Sequence, residues 1–103
     1  MRSYTCLDTK DIAESDVISF NFAPSLATGE TIASVTSVLC EVFDGTDANP
    51  SGVLSGGAQI SGLTVLQAVQ GGVRYVKYHI RCVVMLSSGR VLALSCLLPV
   101  DRL

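Results

Sequence analysis

Lys77, His79 and Arg81 recur at every second position of one stretch, which puts them on a single face of a β-strand. A basic stripe of that kind attracts phosphates or carboxylates. Three cations would hold duplex DNA only weakly and in a salt-sensitive way, and the chain as a whole carries a formal charge of −2. An acidic protein surface or a neighbouring copy fits it as well. His79 is the only histidine. Two flanking cations oppose its protonation and no acid stands beside it in sequence, so a surface residue is expected rather than a general base. Ser87 and Ser88 have no Gly-x-Ser-x-Gly setting and no base to pair with, and are expected in a turn. Gly56-Gly57 and Gly71-Gly72 precede neither Lys-Ser/Thr nor a helix, which makes them turns rather than phosphate loops. Asp8, Asp11, Glu14 and Asp16 lack the spacing and the glycine of a calcium loop. Cys6, Cys40, Cys82 and Cys96 form no C-x-x-C pair, and one histidine cannot complete a zinc set at these spacings. The expectation is a protein without catalytic residues, metal or cofactor.

Binding is the remaining kind of work, and the composition favours it. Hydrophobic residues are 49% of the 103 and charged residues 16%, against about 25% charged in an ordinary soluble domain. This length suits a single domain over residues 1–103, with a core that needs no staple. So apolar a chain is expected to hide part of its surface in an oligomer or a partner. With no Trp and 6% aromatics, a stacking platform for single-stranded nucleic acid is disfavoured. Charge is unevenly spread. Residues 1–47 hold eight acids and two bases, while residues 48–100 hold the bases Arg74, Lys77, Arg81 and Arg90 and no acid. Two poles that dock head to tail result if the fold keeps these segments apart, and scattered solvated charge if it interleaves them. Residues 1–6 are too short and polar for the apolar part of a secretion signal. No apolar run approaches the ~20 residues of a membrane span. Buried, reduced thiols are therefore expected, with a Cys40–Cys82 bridge as the alternative.

Turn signals are frequent and the helical period is scarce. Asp11–Asp16 predicts one short helical turn, capped by Asp11 with Glu14 at the third position. Val17–Phe22 alternates, with Ile18, Phe20 and Phe22 on one face. Thr31–Phe43 is a long β-branched stretch ended by Asp44-Gly45, and residues 44–52 form a polar turn cluster. Val53–Leu54 and Ala58–Ile60 are weak strand pieces, and Leu63–Val69 is a better strand. From Val76, alternate residues through Leu86 are apolar, and the other face carries Lys77, His79, Arg81, Val83 and Met85. After Ser87-Ser88-Gly89 the return strand, Arg90–Val100, is apolar on both faces. A two-residue turn puts Leu92, Leu94 and Cys96 outside, beside Met85, Val83 and Arg81. A three-residue turn swaps the faces and leaves Val91, Ala93 and Leu97 outside. Either register leaves an apolar outer patch to be covered. The candidate interface is accordingly Lys77, His79, Arg81, Val83, Met85, Leu92 and Leu94. About seven strands with closely spaced turns predict an all-β, immunoglobulin-like antiparallel sandwich. Cys40 and Cys82 fall on strands that could carry the inter-sheet bridge of such a sandwich, but the Trp that packs on it is absent. Residues 1–10 are open between a flexible arm and strand pairing by Tyr4–Leu7.

Several segments also occur in a characteristic order. Asp8-Thr9-Lys10-Asp11 and Glu14 precede the aromatic strand Phe20–Phe22. Gly29-Glu30-Thr31-Ile32-Ala33-Ser34, Ile60-Ser61-Gly62-Leu63-Thr64-Val65 and Gly71-Gly72-Val73 before Tyr75 follow. Ser88-Gly89-Arg90 and Leu97-Leu98-Pro99-Val100 close the chain. Together, from about Asp8 to Val100, they resemble a family of small tailed-bacteriophage virion proteins of immunoglobulin-like fold, the fiber–tail adaptors. Ile12 stands where that family often has Pro, and its early tryptophan is missing. The resemblance implies a non-enzymatic protein that sits in a ring at the neck or tail, made in the host cytoplasm and carried in the virion. Its implied partners are other copies and other virion proteins, such as the portal or adaptor ring, tail and fibers, with neither membrane nor nucleic acid. Capsid decoration or head–tail completion is the nearest alternative, and a nucleic-acid-binding module the next.

Overall fold

A computed structural model describes residues 3–4 and 15–100. Seven strands follow in chain order: β1 Ser3–Tyr4, β2 Ser15–Asn21, β3 Ile32–Asp44, β4 Gln59–Ser61, β5 Thr64–Gln70, β6 Lys77–Leu86 and β7 Val91–Pro99. Ala23–Ser25 and Pro50–Val53 are 3-10 turns, each with a proline in its first two positions. One sheet has the order β1-β2-β5-β4 and the other β3-β6-β7. Lettered A to G in sequence, these are the A-B-E-D and C-F-G sheets of an immunoglobulin-like sandwich. One departure is β1, which runs parallel to β2 with Ser3 opposite Val17.

The alternating segments build the core as their period demands. Ile18, Phe20 and Phe22 are buried together with Val65 and Val69 of β5 and with Tyr78, Ile80, Cys82, Val84 and Leu86 of β6. Each large apolar side chain so buried contributes roughly 1.5–3 kcal/mol. Gln67 is the buried polar residue among them, and its amide donates to Gly56 O at 3.2 Å and Ala68 O at 2.8 Å. Those bonds offset the cost of desolvating the amide.

The β6–β7 hairpin closes through the three-residue turn Ser87-Ser88-Gly89. The Leu86 N–H bonds Arg90 O at 2.8 Å, and the Gly89 N–H bonds Leu86 O at 2.9 Å. Gly89 sits at φ 92, the left-handed position such a turn requires. Ile80 therefore faces Cys96, Cys82 faces Leu94 and Val84 faces Leu92. This corrects the placement of Leu92 and Leu94, which pack toward the core while Val91, Ala93 and Leu97 turn outward.

Other expectations shift too. Ser15 and Asp16 belong to β2 rather than to a helical turn, and residues 11–14 lie outside the described residues. Val53 closes a 3-10 turn and Leu54 makes a single bridge to Val69, in place of a strand. Of the N-terminal arm, Ser3–Tyr4 is strand and the rest lies outside the described residues. Cys40 is on β3 and Cys82 on β6, adjacent strands of one sheet, with Val38 opposite Cys82. They cannot form a bridge between sheets. Cys40, Cys82 and Cys96 are buried and in no disulfide, and Cys6 lies outside the described residues.

Candidate functional site

The outer face of the β3-β6-β7 sheet gathers the residues that the stripe pointed to. Lys77, His79, Arg81, Val83 and Met85 project from β6, between Asp44, Glu41, Leu39, Ser37 and Ser34 of β3 on one side. Pro99, Leu97, Ser95, Ala93 and Val91 of β7 stand on the other. Five of the seven candidate interface residues thus share this face, and Leu92 and Leu94 do not. Large apolar side chains lie open on it: Leu39 is 54% exposed, Met85 44% and Val91 58%. Phe43, at 62%, sits where the β3–β6 register slips between Val42 and Asp44. Val91 is outside as the three-residue turn predicts, whereas Leu39 and Phe43 went unrecognised from sequence. Three register shifts break the two-residue period of β3, so alternation there could not assign a face.

Charge on this face is interleaved, not polar. Glu41 stands opposite His79 and Asp44 opposite Lys77, so the acids of the first segment flank the bases of the second. His79 has in space the acidic neighbour it lacks in sequence. Leu39, Glu41, His79 and Arg81 line a shallow depression. Carboxylates so close to the stripe weaken its attraction for phosphate.

Side-chain networks hold both ends of the sheet. At one end, Arg90 grips Glu30 with two parallel bonds, Nη2 to Oε1 at 2.6 Å and Nε to Oε2 at 3.0 Å. Ser88 Oγ also donates to Glu30, and the Ala27 N–H reaches Oε1 at 2.7 Å. Arg90 Nη2 bonds Ser25 O at 3.2 Å. The Ser87 N–H bonds Thr31 O at 2.8 Å, and the Thr31 N–H bonds Ser87 Oγ at 3.0 Å. The hairpin turn is thereby tied to the loop that leads into β3. Hydrogen bonds from Arg90, then Ser88 and the Ala27 N–H, pull the Glu30 carboxyl down to about 2, and the same pairing raises Arg90.

At the other end Tyr78, near the start of the sixth strand, accepts the Val73 N–H at 2.7 Å and donates to Asp47 Oδ2 at 2.7 Å. A buried tyrosine at that position, bonded back to the backbone five residues upstream, is the tyrosine corner of immunoglobulin-like domains. The bond from Tyr78, with one from the Asn49 N–H, holds the Asp47 carboxyl below its usual range. Burial, and then the Asp47 hydrogen bond, pushes the Tyr78 hydroxyl up to about 12.

These groups are poor chemical agents. Burial raises the Cys40 thiol to about 12 and the Cys82 thiol to about 11, far from a reactive thiolate. Among the described residues no three metal-ligating side chains come together, and no helix is long and apolar enough to cross a membrane. What the arrangement offers is a broad, partly apolar face on a braced sheet.

The fold defines an immunoglobulin-like sandwich with one sheet face left open. The chain belongs to the podophage GP4 fiber-tail adaptor family, gp77, whose family model matches residues 10–99. That membership makes it a structural protein of the phage tail, carried in the virion. Searches of curated proteins and of solved structures gave no match.

Proposed function

We propose that residues 1–103 act as one non-enzymatic domain that joins fibers to the tail. Copies form a ring at the neck or tail, and the outer face of the β3-β6-β7 sheet docks a neighbouring virion protein. The observation that carries this reading is the exposure of Leu39, Phe43, Met85 and Val91 around Lys77, His79, Arg81 and Val83 on that sheet. Apolar side chains open to water at this density are the mark of a surface that is covered in its working state. Closed rings repeat one heterologous contact, so a particle would hold about a dozen copies or fewer, whereas a capsid lattice would hold hundreds. Assembly of the ring falls in the host cytoplasm, where new particles are built.

The experiment is quantitation of the protein in purified particles, with wild type beside Met85→Asp and Val91→Asp. The expected result is about a dozen copies for wild type and loss of both variants from particles while each remains folded. Hundreds of copies would replace the tail ring with a decoration role. Normal incorporation of both variants would remove the outer face from the interface.

A further inference from the structure

Eight described residues have positive φ; seven are glycine and the eighth is Tyr75, at φ 68. A bulky aromatic is an outlier in this left-handed region, which glycine adopts without strain. The loop backbone holds Tyr75 there. Its N–H bonds Val100 O at 2.6 Å, the Val100 N–H bonds Val76 O at 2.9 Å, and the Val76 N–H bonds Val73 O at 3.1 Å. The side chain returns little to the fold, since Tyr75 is 69% exposed. Strain kept without a packing gain indicates a side chain retained for something outside the fold.

Its surroundings indicate what. The Arg74 guanidinium lies over the Tyr75 ring, 4.7 Å from its centroid, which orders both groups. Val73 is exposed beside them, and Tyr75, Val76, Lys77, Pro99 and Val100 line a groove at the foot of the ring. Neither Arg74 nor Lys77 pairs with a carboxylate among the described residues. We propose that the Arg74–Tyr75 loop is a second docking element, which anchors an acidic segment of another virion protein: the ring fills an apolar slot and Arg74 and Lys77 meet the carboxylates. Two cations are too few to hold nucleic acid, whereas Tyr and Arg are the side chains that most often anchor protein interfaces. This inference rests on the adaptor reading and concerns the Arg74–Tyr75 loop, which adjoins the outer sheet face at Lys77.

The test compares wild type, Tyr75→Gly, Tyr75→Phe and Arg74→Glu for melting temperature and for copies per particle after complementation of phage lacking this protein. Tyr75→Gly should melt at or above the wild-type temperature, because glycine relieves the strained φ, yet fall about tenfold or more in incorporation. Tyr75→Phe should keep both, and Arg74→Glu should melt normally but incorporate poorly. A lower melting temperature for Tyr75→Gly would overturn the inference, since the ring would then serve the fold. So would normal incorporation of a folded Tyr75→Gly. Normal incorporation of Arg74→Glu would overturn the acidic partner. A duplex-DNA shift that Arg74→Glu abolishes would assign the loop to nucleic acid instead. Absence of wild type from particles would defeat the adaptor reading itself, while loss of Met85→Asp alongside retention of Tyr75→Gly would defeat only this inference.

Discussion

Tyr78 and Asp47, 31 residues apart, are joined by a 2.7 Å hydrogen bond from the tyrosine hydroxyl to Oδ2, and the same hydroxyl accepts the Val73 N–H. One buried ring thus fastens the loop after the third strand and the loop before the sixth. Tyr78→Phe keeps the ring but leaves the Val73 N–H and Asp47 to find other partners. It should cost about 1–2 kcal/mol in urea denaturation without changing the m-value. An unchanged midpoint would mean that packing alone holds the two loops.

Glu30 contributes to the response to acid. Its folded carboxyl lies at about 2, below the ordinary 4.5, so the stability it supplies is present above the unfolded value and is lost as pH falls toward 2. Glu30→Gln should melt lower than wild type at pH 7, and the difference should close between pH 4.5 and 2. A gap that persists at pH 2 would show that the charge of Glu30 is not what the clamp uses.

The alkaline limit rests on neutral groups. Tyr78, Cys40 and Cys82 are raised to about 12, 12 and 11, above unfolded values of 10, 9 and 9. The native state therefore holds these protons more tightly than the unfolded chain. That contribution is complete below pH 9 and is lost as pH rises toward 12. Melting temperature should fall steeply above pH 9, and Tyr78→Phe should blunt part of the fall. A flat profile to pH 11 would contradict the burial of all three.

Cys40, Cys82 and Cys96 are buried and unbridged. In the native state at pH 8 a thiol reagent should leave all three unmodified, and in denaturant it should modify each, as read by peptide mass mapping. Reductant should not move the melting temperature. Rapid native labelling of Cys82 would show that the core around it opens.

The parts of this fold visible in the sequence are those whose pattern is local. Ile18, Phe20 and Phe22, and every second residue from Val76 to Leu86, alternate cleanly and are buried on the expected face. The hairpin register was not legible, because the seventh strand is apolar on both faces and the choice fell to the left-handed turn at Gly89. Nor was the pairing of Cys40 with the sixth-strand neighbourhood, since strand adjacency within a sheet leaves no mark on either strand alone. Glu30 and Arg90 are 60 residues apart, and nothing near either signals the other. Of the proposed docking face, the stripe from Lys77 to Met85 could be read, whereas the bulged third strand hid Leu39 and Phe43.

The two faces of the hairpin give a decisive contrast. Leu94 packs against the core opposite Cys82, while Met85 stands on the outer face opposite Val91. A carboxylate at position 94 would be driven into apolar surroundings, so Leu94→Asp should cost roughly 3 kcal/mol or more and lower the urea midpoint sharply. Met85→Asp leaves its charge in water and should stay within about 0.5 kcal/mol of wild type. If Leu94→Asp stays folded, the register runs the other way and the interface must be redrawn through Leu92 and Leu94 beside Met85. If Leu94→Asp unfolds and Met85→Asp folds but is excluded from particles, core and docking face are separated by a single strand's alternation.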